Sequence, residues 1–127
     1  GARAYAEQLR ERAPTGTPCP AFDVLMLGIG PEGHVASLFP HTDGIGAADT
    51  VVAVFDSPKP PPTRISLTLA AIGKSREVWI IASGQSKADA VARTMNPETA
   101  PEDVPAAGAR GTERTLLFAD QAAASSV

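Results

Sequence analysis

The chain has 127 residues, of which 43% are hydrophobic and 20% charged, and its formal net charge is -3. These values are typical of one globular domain and exclude a disordered polymer, and no apolar run approaches the roughly 20 residues that span a bilayer. The scattered Lys and Arg residues form no basic stripe for nucleic acid, and the single cysteine, Cys19, excludes a disulfide framework. The opening residues lack the apolar segment of a signal peptide. We therefore expect a cytoplasmic protein with no nucleic-acid or membrane partner.

The spacing of apolar residues predicts alternating helices and strands. The first half of the chain has a predicted helix over 2–13, a strand over 24–27 buried on both faces, a strand over 50–56 and a stiff proline loop over 57–64. A predicted helix over 65–73, capped by Thr63, is followed by a strand over 78–82 and a helix over 86–95 that starts at Ser86. The chain then continues with a polar linker over 96–111, a strand over 114–120 and a helical tail over 121–127. This order is typical of an α/β protein with a largely parallel sheet flanked by helices.

The stretch LMLGIGPEGH contains Gly28, Gly30 and Gly33 in the spacing G-x-G-x-x-G, directly after a predicted strand. Dinucleotide-binding folds use this spacing, with the third glycine inside a long helix whose first turn faces the pyrophosphate. Here Pro40 interrupts any helix soon after Gly33. Glu32 also stands where it would repel the phosphates. The sequence therefore disfavours a dinucleotide site.

The same loop presents His34 just beyond the carboxyl end of the strand, with Glu32 two residues earlier. Open parallel sheets bind ligands at that edge. An imidazole takes and returns protons near neutral pH, and a nearby carboxylate fixes its tautomer. The residues alone leave two alternatives open, a catalytic histidine or a surface loop histidine.

Three segments, LGIGPEGHVASLFP, SPKPPPTRISLT and SGQSKADAV, together resemble the 6-phosphogluconolactonases, which are related to the glucosamine-6-phosphate deaminases. The resemblance runs nearly end to end and aligns residues 1–127 with the single carboxyl-terminal portion of a lactonase domain. It implies part of a NagB/RpiA/CoA-transferase-like α/β fold without its amino-terminal half. Phe39 stands where the deaminases have an acidic residue before the proline, which favours a lactonase. Glu32 stands where the family generally has Asp.

The resemblance implies hydrolysis of 6-phospho-D-glucono-1,5-lactone to 6-phosphogluconate in the oxidative pentose phosphate pathway, with no cofactor and no metal. We expect His34 to be the general base for water and the acid for the leaving ring oxygen, with Glu32 orienting it. Ser37 lies in no nucleophile elbow, so an acyl-enzyme has little support. The alternatives are a non-catalytic sugar-phosphate-binding domain, or an isomerase or deaminase of the same superfamily.

The substrate's phosphate requires cations. Arg64 follows the rigid proline loop. Lys87 lies in the GQSK turn, where Gly84 ends a predicted strand and Ser86 begins a predicted helix, so backbone N–H groups and the ammonium are expected to converge. In the deaminase relatives the lysine of the similar segment binds the sugar phosphate. Lys59, between prolines, is a third candidate for the phosphate or the product's carboxylate. We also assign the loop glycines to substrate binding, namely Gly30 and Gly33.

Nothing in the chain corresponds to the Gly-Gly-Ser/Thr phosphate loop of the family's first half. We therefore expect the missing amino-terminal half to be a partner of this chain. We also expect this chain to be inactive without that half. Strands that would pack against that half should leave apolar surface exposed on one side of the sheet. We place His41 in an ordinary loop.

Overall fold

The computed structural model describes all residues, 1–127, and contains two small sheets. The helices and strands are α1 (Ala2–Arg12), β1 (Val24–Gly28), β2 (Val51–Val54), β3 (Arg64–Leu67), α2 (Leu69–Ile72), β4 (Glu77–Ala82), α3 (Ala88–Met95) and β5 (Arg114–Ala119). Strands β1, β4 and β5 form a parallel sheet in the order β1-β4-β5, and β2 pairs with β3 antiparallel. The predicted α/β class with a parallel sheet is confirmed, whereas the separate antiparallel pair was not predicted.

One face of the parallel sheet packs into the main core. Because side chains alternate between the faces of a strand, Val78 and Ile80 of β4 point to the same side, where they are 0% and 1% exposed. They join Leu27 of β1 and Val91 of α3 in one apolar cluster. Each such side chain contributes about 1.5 to 3 kcal/mol on burial. This core fixes the strands whose ends carry the candidate site.

The opposite face of the sheet is apolar and open. Met26 of β1, Ile81 of β4 and Phe118 of β5 are 63%, 47% and 46% exposed, and Trp79 meets Phe118 edge-on with ring centroids 5.4 Å apart. The predicted exposed apolar surface is confirmed. The prediction that β1 is buried on both faces is wrong, because no layer of this chain covers its outer side.

A smaller core joins α1 to the antiparallel pair. Leu9 of α1 packs with Cys19, Val51 of β2 and Ala71 of α2, all of them buried. Burial raises the pKa of the Cys19 thiol, against the opposing charge of Lys74. The thiol is therefore protonated near neutral pH. No helix in the structure combines the length and the apolar character needed to cross a membrane.

The segment predicted as one helix over 65–73 is wrong in its first half. Residues 64–67 form β3, because their backbone groups pair with β2, and only the four residues of α2 are helical. The cap of α2 is Thr68, not Thr63. The Thr68 hydroxyl accepts a bond from the Ala71 amide at 3.1 Å and donates to the Asp49 carbonyl.

Three other boundaries differ from expectation. The last helix, α3, starts at Ala88 after a 3-10 turn over Gln85–Lys87, and the Ser86 side chain caps neither. The predicted linker contains a 3-10 turn, Pro105–Gly108, whose first residues are buried against the glycine loop. The tail after residue 120 forms successive turns instead of a helix. The linker is therefore partly core, since Val104 is 0% exposed.

Replacing the buried cap tests this local structure. We expect Thr68→Val to lower the free energy of unfolding by about 2 kcal/mol, because the α2 amide and the Asp49 carbonyl both lose a partner inside the protein. Thr63→Val is the matched control; Thr63 is exposed, so its effect should stay within about 0.5 kcal/mol. Urea unfolding of both variants measures the difference. Equal effects would contradict the assignment of Thr68 as the cap.

Candidate active site

The glycine loop makes a closed bend directly after β1. The Gly30 amide donates to the His34 carbonyl at 2.9 Å, and the Gly33 amide donates to the Gly30 carbonyl at 2.9 Å. Gly33 has φ +90°, and a Cβ at this position would lie 2.6 Å from Cγ1 of Val104. A side chain is excluded there by both backbone conformation and space. The bend therefore holds His34 at the carboxyl edge of the sheet.

The His34 ring is held between two surfaces. It lies against Gly30, where an added Cβ would overlap it, and against the buried ring of Phe39, with centroids 4.5 Å apart. Only 17% of the His34 side chain is exposed. The ring is therefore oriented by packing, and Phe39 is a supporting residue that the sequence analysis used only to separate lactonases from deaminases.

Glu32 hydrogen bonds through Oε1 to Nδ1 of His34. A carboxylate accepts only, so the proton of the neutral imidazole lies on Nδ1 and the lone pair lies on Nε2. Burial alone would raise the pKa of Glu32, but bonds from its own backbone amide, from His34 and from Lys59 outweigh that effect and hold the pKa below its ordinary value. Glu32 is therefore ionised at neutral pH and leaves Nε2 as the basic atom.

Lys59 pairs with the other oxygen of the same carboxylate. Its Nζ lies 3.2 Å from Oε2 of Glu32, and the two side chains are 43% and 35% exposed. The structure thus joins three predicted site residues, His34, Glu32 and Lys59, in one contact chain. The role of Lys59 in binding the phosphate or the product's carboxylate stays a prediction.

Arg64 lies at the start of β3 and faces the proline loop. Its guanidinium donates to the carbonyls of Lys59, Pro60 and Pro61 at 2.9, 3.0 and 3.0 Å. Its Cζ also lies 5.6 Å from the centroid of the Phe39 ring, so Arg64 and His34 contact the same aromatic side chain. Its role in phosphate binding stays a prediction.

Lys87 reaches the glycine loop from the end of β4. Its Nζ donates to the carbonyl of Ile29, the residue before Gly30. The Gly84 amide, in the turn that leads to Lys87, donates to both carboxylate oxygens of Asp120 at 3.1 Å. Asp120, which directly follows β5, thus takes up this N–H group, and the role of Lys87 in phosphate binding stays a prediction.

Asp120 is a supporting residue that the sequence analysis missed. Its carboxylate also accepts from the Ser83 hydroxyl at 2.7 Å and from the Ala123 amide at 2.8 Å, and these bonds hold the pKa of Asp120 below its ordinary value. It thereby ties the turn that carries Lys87 to the tail. The position of an acidic residue at the carboxyl end of a predicted parallel strand was the sequence feature that could have identified Asp120.

Two polar residues near the loop stay outside the contact chain. His41 lies in an exposed loop, as expected, with Nε2 3.3 Å from Oδ1 of Asp103. The Ser37 hydroxyl accepts from Arg64 at 3.5 Å and makes no hydrogen bond to His34. A nucleophilic serine activated by this histidine therefore has no support in the geometry.

Comparison with known proteins agrees with this architecture. A family model described as glucosamine-6-phosphate isomerases/6-phosphogluconolactonase matches residues 1–118. A 6-phosphogluconolactonase of Mycobacterium tuberculosis is 54% identical over 97% of this chain and 50% of its own length. The human 6-phosphogluconolactonase is 41% identical over 94% of this chain and 46% of its own length. The chain spans about half the length of the curated relatives it matches.

Solved structures show the same likeness. The 6-phosphogluconolactonase of Trypanosoma brucei superposes with a TM-score of 0.80 at 28% identity, over 98% of this chain and 52% of the other. The 6-phosphogluconolactonase of Thermotoga maritima superposes with a TM-score of 0.78 at 29% identity, over 93% of this chain and 49% of the other. A monomeric glucosamine-6-phosphate deaminase, at 24% identity and a TM-score of 0.72, shares the fold.

The contact between the loop and the imidazole predicts a sharp difference between two glycines. We expect Gly30→Ala to lower the free energy of unfolding by about 1 to 3 kcal/mol, because its methyl group overlaps the packed His34 ring. Gly28→Ala, with open space around its Cβ, should be nearly neutral. Chemical denaturation compares the two. A Gly30→Ala protein as stable as Gly28→Ala would contradict the described position of the ring.

Proposed function

Because this chain belongs to the family of glucosamine-6-phosphate isomerases and 6-phosphogluconolactonases, we propose that it is the carboxyl-terminal half of a 6-phosphogluconolactonase domain. The reaction is the hydrolysis of 6-phospho-D-glucono-1,5-lactone to 6-phosphogluconate, in the cytoplasm, as a step of the oxidative pentose phosphate pathway. The observation that carries the proposal is the Glu32–His34 pair, whose hydrogen bond leaves Nε2 as a free base at the sheet edge. Lactone hydrolysis needs one such group.

His34 serves both proton transfers of the reaction. Nε2 takes a proton from water as the water oxygen attacks the lactone carbonyl carbon, and the carbonyl becomes a tetrahedral oxyanion. When the oxyanion collapses, the bond to the ring oxygen breaks and the imidazolium returns its proton to that oxygen. The ionised Glu32 stabilises the imidazolium between the two steps. Proton transfer of this kind contributes about 10²- to 10⁴-fold.

Arg64 and Lys87 are the phosphate-binding residues of this proposal. Both cations are bonded to neutral backbone carbonyls. Hydrogen bonds between a cation and an anionic oxygen are about twice as strong as bonds with one neutral partner. A substrate phosphate therefore competes well with the backbone carbonyls for both side chains. The displaced carbonyls then form hydrogen bonds with water.

The open face of the sheet is where we place the other half of the enzyme. Met26, Ile81 and Phe118 form a broad apolar surface, and a continuous apolar strand such as β1 is typical of a sheet covered on both faces. The part of the relatives' length that this chain does not match supplies that cover. Without it the substrate cradle is incomplete, so we expect the 127-residue chain alone to turn over little lactone.

The first test is removal of the proposed base. The 127-residue chain is joined to the amino-terminal half of the M. tuberculosis relative, and lactone opening is measured by acid release. We expect His34→Ala to lower kcat about 10²- to 10⁴-fold while the affinity for 6-phosphogluconate stays nearly unchanged. His41→Ala, the control, should keep full activity because His41 lies outside the contact chain. Equal turnover by the His34→Ala and His41→Ala variants would refute the mechanism. If the unmutated joined protein binds 6-phosphogluconate but opens no lactone, a non-catalytic binding domain is favoured.

The second test separates binding from chemistry. In the same joined protein we expect Lys87→Ala to raise KM at least about tenfold with kcat within about threefold, because a charge-assisted phosphate bond is lost. Lys74→Ala, an exposed lysine away from the loop, is the control. An unchanged KM for Lys87→Ala would remove Lys87 from the phosphate site.

A further inference from the structure

The pair formed by Lys59 and Glu32 supports a role that differs from phosphate binding. We propose that Lys59 is a positioning residue for proton transfer: its ammonium holds the Glu32 carboxylate on His34. This inference rests on the proposed function, since it assigns a part in the same reaction. It replaces the phosphate-binding role that the sequence suggested for Lys59.

The two oxygens of Glu32 have different partners. Oε1 bonds Nδ1 of His34 and Oε2 lies 3.2 Å from Nζ of Lys59. A glutamate is one methylene longer than an aspartate and has one more rotatable bond, so it needs more restraint to stay on a ring nitrogen. No other side chain of the structure hydrogen bonds to Glu32. Lys59 is therefore the group that fixes the second oxygen.

Lys59 is itself anchored at its backbone. Its carbonyl accepts from Arg64 at 2.9 Å, and its amide donates to the Ser57 hydroxyl at 3.3 Å. The prolines on both sides, Pro58 and Pro60, restrict the chain further. The ammonium thus extends from a rigid loop, which suits a group that fixes the direction of a neighbour.

The charges around Glu32 point the same way. The ionisable groups that face its carboxylate are His34 and Lys59, whereas Arg64 and Lys87 contact Phe39 and backbone carbonyls. Burial raises the pKa of Glu32, and the bonds from its own amide, His34 and Lys59 together lower it further than burial raises it. Removing the ammonium therefore leaves the Glu32 carboxylate less firmly oriented toward His34, and it removes one of the bonds that lower the pKa of Glu32.

A phosphate at Lys59 would lie beside the Glu32 carboxylate. Two anions at contact distance repel one another, and the repulsion grows where the side chains are partly buried. The other two cations have neutral carbonyl partners and meet no such obstacle. Lys59, whose partner is a carboxylate, therefore suits a positioning role, whereas Arg64 and Lys87, whose partners are neutral carbonyls, suit phosphate binding.

The tautomer of His34 is the direct readout, and it requires no turnover. Nitrogen-15 spectra of the imidazole are recorded on the 127-residue chain at a pH where the ring is neutral. The unmutated chain should show the Nδ1–H form, and Lys59→Met should shift the ring toward the Nε2–H form that is ordinary for a free imidazole. Lys59→Arg should restore the original signals, and Lys74→Met is the control. Unchanged signals in Lys59→Met would overturn the proposal.

Kinetics of the joined protein provide the second readout. Lys59→Met should lower kcat roughly tenfold with KM within about twofold, and Lys59→Arg should recover most of the loss. In a Glu32→Gln background the same change should cost less than about twofold, because its target is gone. The midpoint Tm should move by less than about 4 °C, since the pair is partly exposed.

The outcomes keep the two proposals apart. A raised KM with unchanged kcat in Lys59→Met would return Lys59 to the phosphate site and overturn the positioning role. Absence of lactone turnover in the unmutated joined protein would refute the proposed function, and the tautomer comparison would still decide whether Lys59 holds Glu32 on His34.

Discussion

The hydrogen bond from the Gly30 amide to the His34 carbonyl closes the bend on which the site depends. It forces the chain to turn back at the end of β1, and it brings the imidazole against a backbone that has no side chain to displace it. Gly33 allows the turn because its left-handed conformation and its contact with Val104 admit no Cβ. Once the ring is fixed in this way, Glu32 needs only to reach its Nδ1 atom.

The parallel sheet explains why distant segments meet at this bend. The carboxyl ends of β1, β4 and β5 lie at one edge, so the loops that follow them are neighbours. These loops supply His34, Lys87 and Asp120 respectively. The antiparallel pair adds the proline loop from the side, and Arg64 fixes that loop through three carbonyl bonds. The site is thus a product of strand ends rather than of any one motif.

The open face of the sheet and the two cations Arg64 and Lys87 both bear on the proposal that a further half covers this chain. An apolar layer that includes Met26 and Phe118 is costly to leave in water. The two cations that we propose bind the phosphate, Arg64 and Lys87, offer side-chain charge without a dedicated amide loop. Relatives about twice as long share the fold over the matched half, and we propose that their additional chain is what covers this face.

The sequence by itself determined the elements with strong local signals. Helical spacing placed α1 and α3, and apolar runs placed β1, β2, β4 and β5. Three segments, including the one around His34, together identified the family. Tertiary structure alone decided β3, because its weak alternation suits a helix equally well until β2 offers backbone partners. It also decided the pairs Lys59–Glu32 and Gly84–Asp120, since contacts between residues far apart in the chain depend on which strands become neighbours.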